Sequence, residues 1–229
     1  MNHLQAIVLD FDGVVADTEP LHYEAYRQIF APFGITVTAE EYADHYIGLA
    51  DRKAFTEAGR VHGFDVTARL IDDLVARKAE VVRHILADAR PVYPGVAELL
   101  RSWAAVVPLA IASGALRGEI ESVLGAAGIA DTVGIIVSAN DVKRSKPAPD
   151  PYLKALDLLA PHIPGLEPSR TVAVEDSRFG IQSAREAGLR TVAVTTSFPR
   201  SELAGADLVV DRLASLTLDA LDALCVPAG

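Results

Sequence analysis

Residues 7–18 read IVLDFDGVVADT, an apolar run that ends in two carboxylates, Asp10 and Asp12, followed at once by Gly13. The apolar segment from Ala6 to Leu9 is typical of a strand that is buried on both faces of a parallel sheet. Two like charges at the end of such a strand are costly unless a cation or a lysine lies close to them. The stretch therefore predicts a metal-assisted site at the carboxyl end of the first strand.

The composition limits the classes of protein that fit. The chain has 229 residues, 50% of them hydrophobic, and a net charge of −10. The acidic balance argues against a nucleic-acid-binding surface, which normally needs a basic face. No apolar run approaches the roughly 18 residues that span a bilayer, and the chain does not open with a signal-like segment. We therefore expect a cytoplasmic protein that binds neither nucleic acid nor a membrane.

The spacing of the strand-like segments predicts two domains. After the first strand, the next strand-like segment begins only near Val106. Ordinary strand-to-helix loops run about 2–6 residues, so this gap indicates a sizeable insert. Apolar residues at helical spacing predict about four helices in the insert. The later chain alternates strands with helices and closes with a helix over 214–224, which is typical of a parallel sheet covered on both faces. We expect an α/β core at 1–16 and 91–229, and a helical domain at 17–90.

Chemically reactive residues follow the four central strands of the predicted sheet. In an open parallel sheet, ligands bind beyond the carboxyl ends of the strands, so these residues should lie at one edge. They are Asp10 and Asp12, then Ser113 and Gly114, then Lys146, and finally Glu175 and Asp176.

These residue types fit the transfer of a phosphoryl group. A carboxylate such as Asp10 can attack phosphorus as a nucleophile. Mg²⁺ prefers carboxylates, waters and phosphate oxygens, so Asp10, Asp176 and the backbone carbonyl of Asp12 are the candidate ligands. Glu175 either ligates the metal directly or has a structural role, in which it orients a metal-bound water or pairs with a neighbouring residue.

The remaining groups would bind the phosphate and move the proton. The hydroxyl of Ser113, the backbone N–H of Gly114 and the ammonium of Lys146 are suited to holding phosphate oxygens. A helix starting just after Gly114 would add its own N–H groups. The side chain of Asp12 is then available for proton transfer to the leaving group and from the attacking water.

Four segments together resemble the motifs of the haloacid dehalogenase superfamily, in the same order and at the same spacing. They are residues 10–18, 112–114, 146–147 and 174–177. The resemblance covers essentially the whole chain. It implies a Rossmann-like core, a helical cap formed by the insert as in the subclass I members, a Mg²⁺ cofactor, and a phosphoaspartate at Asp10.

The second aspartate distinguishes branches of this superfamily. In the dehalogenases and in the phosphonate-cleaving relatives the position of Asp12 is not acidic, so its presence favours phosphate ester chemistry. The chain is similar to the phosphatase and β-phosphoglucomutase group in residues 17–19 and in His22. By that resemblance, His22 is a candidate substrate-binding residue that approaches the acid/base aspartate.

Two segments depart from the mutases of that group. Within residues 48–52, Arg52 lies where mutases carry an arginine for the distal phosphate, but one residue further from Gly48. Residues 114–117 read GALR and lack the second serine and the lysine that would bind a bisphosphate. Arg52 is therefore a candidate phosphate-binding residue, and a phosphatase is favoured over a mutase.

We therefore expect a monomeric Mg²⁺-dependent phosphatase that hydrolyses a small phosphorylated metabolite, a sugar or polyol phosphate. One alternative is a β-phosphoglucomutase-like enzyme that passes the phosphoryl group to a second sugar hydroxyl. The other is a non-catalytic scaffold that binds a phosphate ligand.

Overall fold

The computed structural model describes residues 3–47, 49, 51–89 and 91–226. The chain divides into two compact units, one formed by Met1–Asp17 with Arg90–Gly229 and the other by Thr18–Ala89. Among the described residues, none of the helices combines the length and the apolar character that crossing a bilayer requires.

The unit Thr18–Ala89 consists of helices. Helices α1 to α4 span Glu19–Phe30, Ala39–His45, Asp51–His62 and Ala68–Asp88. Two of them begin at threonine caps: the Thr38 hydroxyl accepts from the Glu41 N–H, and the Thr67 hydroxyl accepts from the Leu70 N–H, both at 3.1 Å. Such bonds satisfy N–H groups that the first helical turn leaves without partners.

Aromatic side chains fill the core of the helical unit. Tyr26, Phe30 and Phe55 are almost completely buried, and their ring centroids lie between 5.4 and 6.1 Å apart. Phe33, which follows Ile29 of α1 at helical spacing, does not join this core. Phe33 lies in the 3₁₀ turn Ala31–Phe33, is 44% exposed, and stacks on Phe64.

The other unit is built on a six-stranded sheet in which every neighbouring pair of strands is parallel. Strands β1 to β6 span Ala6–Leu9, Leu109–Ala112, Ile135–Val137, Thr171–Glu175, Arg190–Val194 and Leu208–Val210. Their order across the sheet is β3-β2-β1-β4-β5-β6, so β1 lies between β2 and β4. The expected α/β class is therefore confirmed.

Helices α5 to α9 belong to this unit and span Val96–Ala104, Arg117–Ala126, Asp150–Leu159, Arg178–Glu186 and Leu218–Leu224. Helices α7 and α8 pack against the sheet face that carries Val8, Ala110 and Ala173. The neighbouring positions Ile7 and Leu9, which point to the opposite face, are also fully buried. The central strand is thus buried on both faces, as its apolar sequence predicts.

Two boundaries differ from the sequence-based expectation. Strand β2 begins at Leu109, because Pro108 lacks an N–H, although its carbonyl accepts from the Ile7 N–H at 3.1 Å. The closing helix α9 begins only at Leu218, where Thr217 caps it by accepting from the Ala220 N–H at 3.3 Å. The residues before it form the separate 3₁₀ turn Leu213–Ser215.

Candidate active site

The pairing of the central strands brings the predicted catalytic segments to one edge of the sheet. Leu9 is level with Ile111 of β2 and with Val174 of β4. Asp10, the next residue, donates its N–H to the Val174 carbonyl at 2.9 Å. Asp10 therefore follows β1 at the edge where Ser113 follows β2 and Asp176 follows β4.

A tight turn after β1 carries Asp12. The Gly13 N–H donates to the Ala16 carbonyl at 2.8 Å, and the Phe11 carbonyl accepts from the Val15 N–H at 2.9 Å. Gly13 has φ of +76°, a region that residues with a Cβ rarely adopt. The turn keeps the half-buried Asp12 next to the end of the strand.

Lys146 lies between two of the predicted carboxylates. Its Nζ is 2.9 Å from Asp10 Oδ1 and 2.6 Å from Glu175 Oε1. Burial by itself would lower the pKa of Lys146, but the negative charges of Asp10 and Glu175 outweigh it and raise the pKa. Lys146 is therefore a permanent cation beside the predicted nucleophile.

Glu175 is fully buried and both of its carboxylate oxygens accept hydrogen bonds. Oε1 accepts from Lys146 and from the Tyr152 hydroxyl, each at 2.6 Å. Oε2 accepts from the Asp176 N–H and from the Ser177 hydroxyl, each at 3.2 Å. A Cβ on Gly180 would collide with this carboxylate, so the first turn of α8 closes over it. Glu175 thus positions Lys146, in addition to any part it has in holding a metal.

Three carboxylates converge in this region. One oxygen from each of Asp10, Glu175 and Asp176 lies within 4.8 Å of the others. Burial, followed by the charge of Glu175, raises the pKa of Asp10 well above its usual range and raises the pKa of Asp176 as well. The charge of Lys146 opposes both shifts. One lysine does not balance three carboxylates, and an all-oxygen donor set is what Mg²⁺ prefers, so these residues fit a divalent cation.

The predicted phosphate-binding residues follow β2. Ser113 is buried, its N–H donates to the Val137 carbonyl at 2.9 Å, and its hydroxyl accepts from the Ala115 N–H at 3.0 Å. Apart from Gly114 and its two chain neighbours, no described residue has an atom within 4 Å of the position that a Cβ on Gly114 would take. The helix expected after Gly114 is α6, which starts at Arg117. The chain bends at Gly114 and Ala115 before it, where the Ser113 hydroxyl accepts from the Ala115 N–H.

Two residues that contact the site carboxylates escaped the sequence analysis. Tyr152, in the first turn of α7, donates to Glu175, and Ser197, in the loop after β5, donates to Asp176 Oδ2. The one signal for Tyr152 is an aromatic residue in the helix that begins just after Lys146. No local pattern distinguishes Ser197 from other loop serines.

His22 lies on α1 of the helical unit, near an ion pair of which the lysine is buried and the aspartate is half-buried. The Lys78 ammonium pairs with Asp51, which also accepts from the Tyr26 hydroxyl at 3.0 Å. Burial, reinforced by the charge of Lys78, lowers the pKa of His22 to about 4. Its buried Nδ1 has no hydrogen-bond partner among the described residues. His22 is therefore a neutral imidazole at physiological pH.

Arg52 lies at the start of α3, and its guanidinium forms an ion pair with Asp72 while remaining 59% exposed. Gly48 and Ala50, which precede it in the segment that resembles the mutases, lie outside the described residues. The substrate-binding roles of His22 and Arg52 stay predictions.

The chain matches the haloacid dehalogenase-like hydrolase family over residues 7–194. It belongs to this family of enzymes, so the family expected from the four motifs is confirmed.

Two curated relatives and one crystal structure are similar over most of the chain. Protein CbbY of Rhodobacter capsulatus is 31% identical over 229 residues, covering 96% of this chain and 99% of the relative. The fructose-1-phosphate phosphatase YqaB of Escherichia coli is 30% identical over 188 residues, covering 82% of this chain and 95% of the relative. A CbbY mutant from Rhodobacter sphaeroides, crystallised with xylulose-(1,5)bisphosphate, has a TM-score of 0.82 and 31% identity, covering 96% of this chain and 99% of that chain.

Proposed function

We propose that this chain is a Mg²⁺-dependent phosphatase that hydrolyses small sugar or polyol phosphates through a phosphoaspartate at Asp10. The observation that carries the proposal is the position of Asp10, 2.9 Å from Lys146 and within a cluster of three carboxylates. The relatives support the substrate class, because one is named as a fructose-1-phosphate phosphatase and another was crystallised with a sugar bisphosphate.

In the first half-reaction, a carboxylate oxygen of Asp10 forms a bond to phosphorus as the bond from phosphorus to the ester oxygen breaks. Asp12 protonates the departing alcohol oxygen. Lys146, the Ser113 hydroxyl and the Gly114 N–H donate to the other phosphate oxygens and stabilise the charge that they carry in the transition state.

In the second half-reaction, water attacks the phosphorus of the phosphoaspartate and Asp12 accepts a proton from that water. The bond from phosphorus to Asp10 breaks, which releases inorganic phosphate and regenerates the carboxylate. A Mg²⁺ ion held by Asp10, Asp176 and the Asp12 carbonyl would supply positive charge beside the phosphate.

Asp10 must be ionised to attack, yet its burial beside Glu175 favours the protonated form. Lys146 favours the ionised form, and a divalent cation would do so more strongly because of its double charge. This balance supports a metal requirement for the first step.

A panel of phosphate esters tests the proposal. The purified protein is incubated with fructose 1-phosphate, xylulose 1,5-bisphosphate, glycerol 3-phosphate and β-glucose 1-phosphate, with Mg²⁺ or with a chelator. We expect release of inorganic phosphate from a sugar or polyol ester with Mg²⁺ only. Turnover that the chelator leaves unchanged would contradict the metal requirement, and no turnover of any ester would favour the scaffold.

The same panel separates the phosphatase from the mutase when ³¹P NMR follows β-glucose 1-phosphate. Glucose 6-phosphate as the product would overturn the hydrolase proposal. The position of Arg117 supports the phosphatase. Its guanidinium lies 2.9 Å from Asp141 and 2.7 Å from the Ile136 carbonyl, so this arginine is already engaged and is a poor substitute for the lysine missing from residues 114–117.

A further inference from the structure

The loop after β5 contacts two segments of the candidate active site. The Thr196 hydroxyl donates to the Gly13 carbonyl, in the turn that carries Asp12. The next residue, Ser197, donates its hydroxyl to Asp176 Oδ2. Because β5 runs parallel to β4, with Ala193 level with Glu175, this loop leaves the sheet beside Asp176.

Gly13, Asp176 and Ser197 are packed so closely that no side chain fits among them. A Cβ on Gly13 would collide with the Asp176 carboxylate and would lie 2.7 Å from Ser197 Oγ. The Asp176 carboxylate is therefore held between the turn after β1 and the loop after β5. Asp176 itself is only 7% exposed.

We propose that Ser197 is a positioning residue for the divalent-cation site, because its hydroxyl holds the Asp176 carboxylate in the orientation that binds the ion. The inference rests on the proposed Mg²⁺ site. Carboxylates that bind metals are commonly oriented by hydrogen bonds from neighbouring groups, and loss of such a partner typically lowers metal affinity about 10- to 100-fold.

The chain offers a matched control at the other end of the same strand. The Thr191 hydroxyl, near the start of β5, donates to Asp207 Oδ2 at 2.9 Å. Thr191→Val removes this hydroxyl-to-carboxylate bond, together with the bond that the hydroxyl accepts from the Asp207 N–H at 3.2 Å, at the sheet edge opposite the candidate active site. Its effect therefore measures what the loss of such a bond does to the fold alone.

The test measures Mg²⁺ binding to the full chain by isothermal titration calorimetry, without substrate. We expect Ser197→Ala to raise the dissociation constant for Mg²⁺ about 10- to 100-fold. Thr191→Val should bind as wild type does, and Ser197→Thr, which keeps the hydroxyl, should recover most of the affinity. If Ser197→Ala folds poorly, Ser197→Thr is compared with Ser197→Val. These two side chains have nearly the same shape, so a difference in Mg²⁺ affinity between them reports the effect of the hydroxyl.

Asp176→Asn separates failure of this inference from failure of the proposed function. Wild-type binding that is lost in Asp176→Asn but kept within twofold in Ser197→Ala would overturn the role of Ser197 alone. If Asp176→Asn binds Mg²⁺ as tightly as wild type does, the metal site and the role of Ser197 are both overturned. The same follows if the wild-type protein does not bind Mg²⁺.

Discussion

Replacing Tyr152 with phenylalanine should destabilise the sheet unit and reduce turnover. The substitution removes one hydroxyl, whose 2.6 Å hydrogen bond ends on the fully buried Glu175. The ring stays, so its place in the buried core cluster that includes Ala155 and Leu159 is preserved. The ring centroid also keeps its position 5.1 Å from Lys146 Nζ. The perturbation is therefore confined to a single donor.

The expected cost follows from the charge and burial of the acceptor. A hydrogen bond to a charged group contributes about 1.5–3 kcal/mol, and the buried Glu175 has no access to water as a replacement donor. We therefore expect the free energy of unfolding to fall by about 1.5–3 kcal/mol. For a chain of this size that corresponds to a fall in melting temperature of roughly 3–12 °C. Turnover should fall as well, because Lys146 shares Glu175 Oε1 with the lost hydroxyl.

The assay is thermal unfolding in the presence of a chelator, with turnover of the best ester measured on the same preparations. Tyr46→Phe is the control, because Tyr46 donates to Glu41 at 2.8 Å within the helical unit, with His62 Nε2 at 3.4 Å from the same hydroxyl. Glu41 is 18% exposed in its side chain, so water can replace the donor and the cost should be smaller. A Tyr152→Phe protein that melts within about 1 °C of wild type would refute the reasoning.

Three further predictions concern the nucleophile, the turn after it and the helical unit. Asp10→Asn should abolish turnover and phosphoenzyme formation without lowering the melting temperature, because burial already disfavours the Asp10 charge; residual phosphoenzyme on a gel with labelled substrate would contradict the assignment. Gly13→Ala should cost about 1–2 kcal/mol for its positive φ and about 1–3 kcal/mol more for overlap with Asp176. Gly34→Ala, with φ of +71° and no described atom beyond its chain neighbours within 4 Å of the new Cβ, should lower the free energy of unfolding by only the first amount. Denaturant titrations of both variants measure the difference. The pKa of His22, lowered to about 4, makes the unfolded chain bind more protons between pH 6.5 and 4, so stability should fall as the pH falls through that window. An NMR titration of the His22 ring with a pKa near 6.5 would exclude this.

The segments that could be predicted are those whose structure depends on residues close together in the sequence. The apolar run before Asp10 indicates a buried strand by itself, and the strand ends at Ser113 and Asp176 are marked by the same change from apolar to polar residues. Parallel strands place their carboxyl ends at one edge, so the grouping of these residues followed from the strand pattern without any contact being known. The closing helix was misplaced because Thr217 shortens it by capping, a choice between two helical starts that the local pattern leaves open.

The residues that could not be predicted act across long separations in sequence. Tyr152 meets Glu175 only because α7 packs on the sheet beside β2 and β3, and Ser197 meets Asp176 only because β5 is the neighbour of β4. A tyrosine in a helix and a serine in a loop have many equally good local explanations.

For this protein, the sequence alone determined the family, the α/β class and the identity of the residues at the strand ends. Strand-forming residues, glycine turns and carboxylates express their preferences over a few neighbouring positions, so these features can be read one segment at a time. Only the tertiary structure decided that Lys146 lies between Asp10 and Glu175, and that both oxygens of Glu175 accept hydrogen bonds. Burial is the physical reason, because it removes the water that would otherwise solvate each charge. The folded chain must then supply hydrogen-bond and ion-pair partners from distant segments.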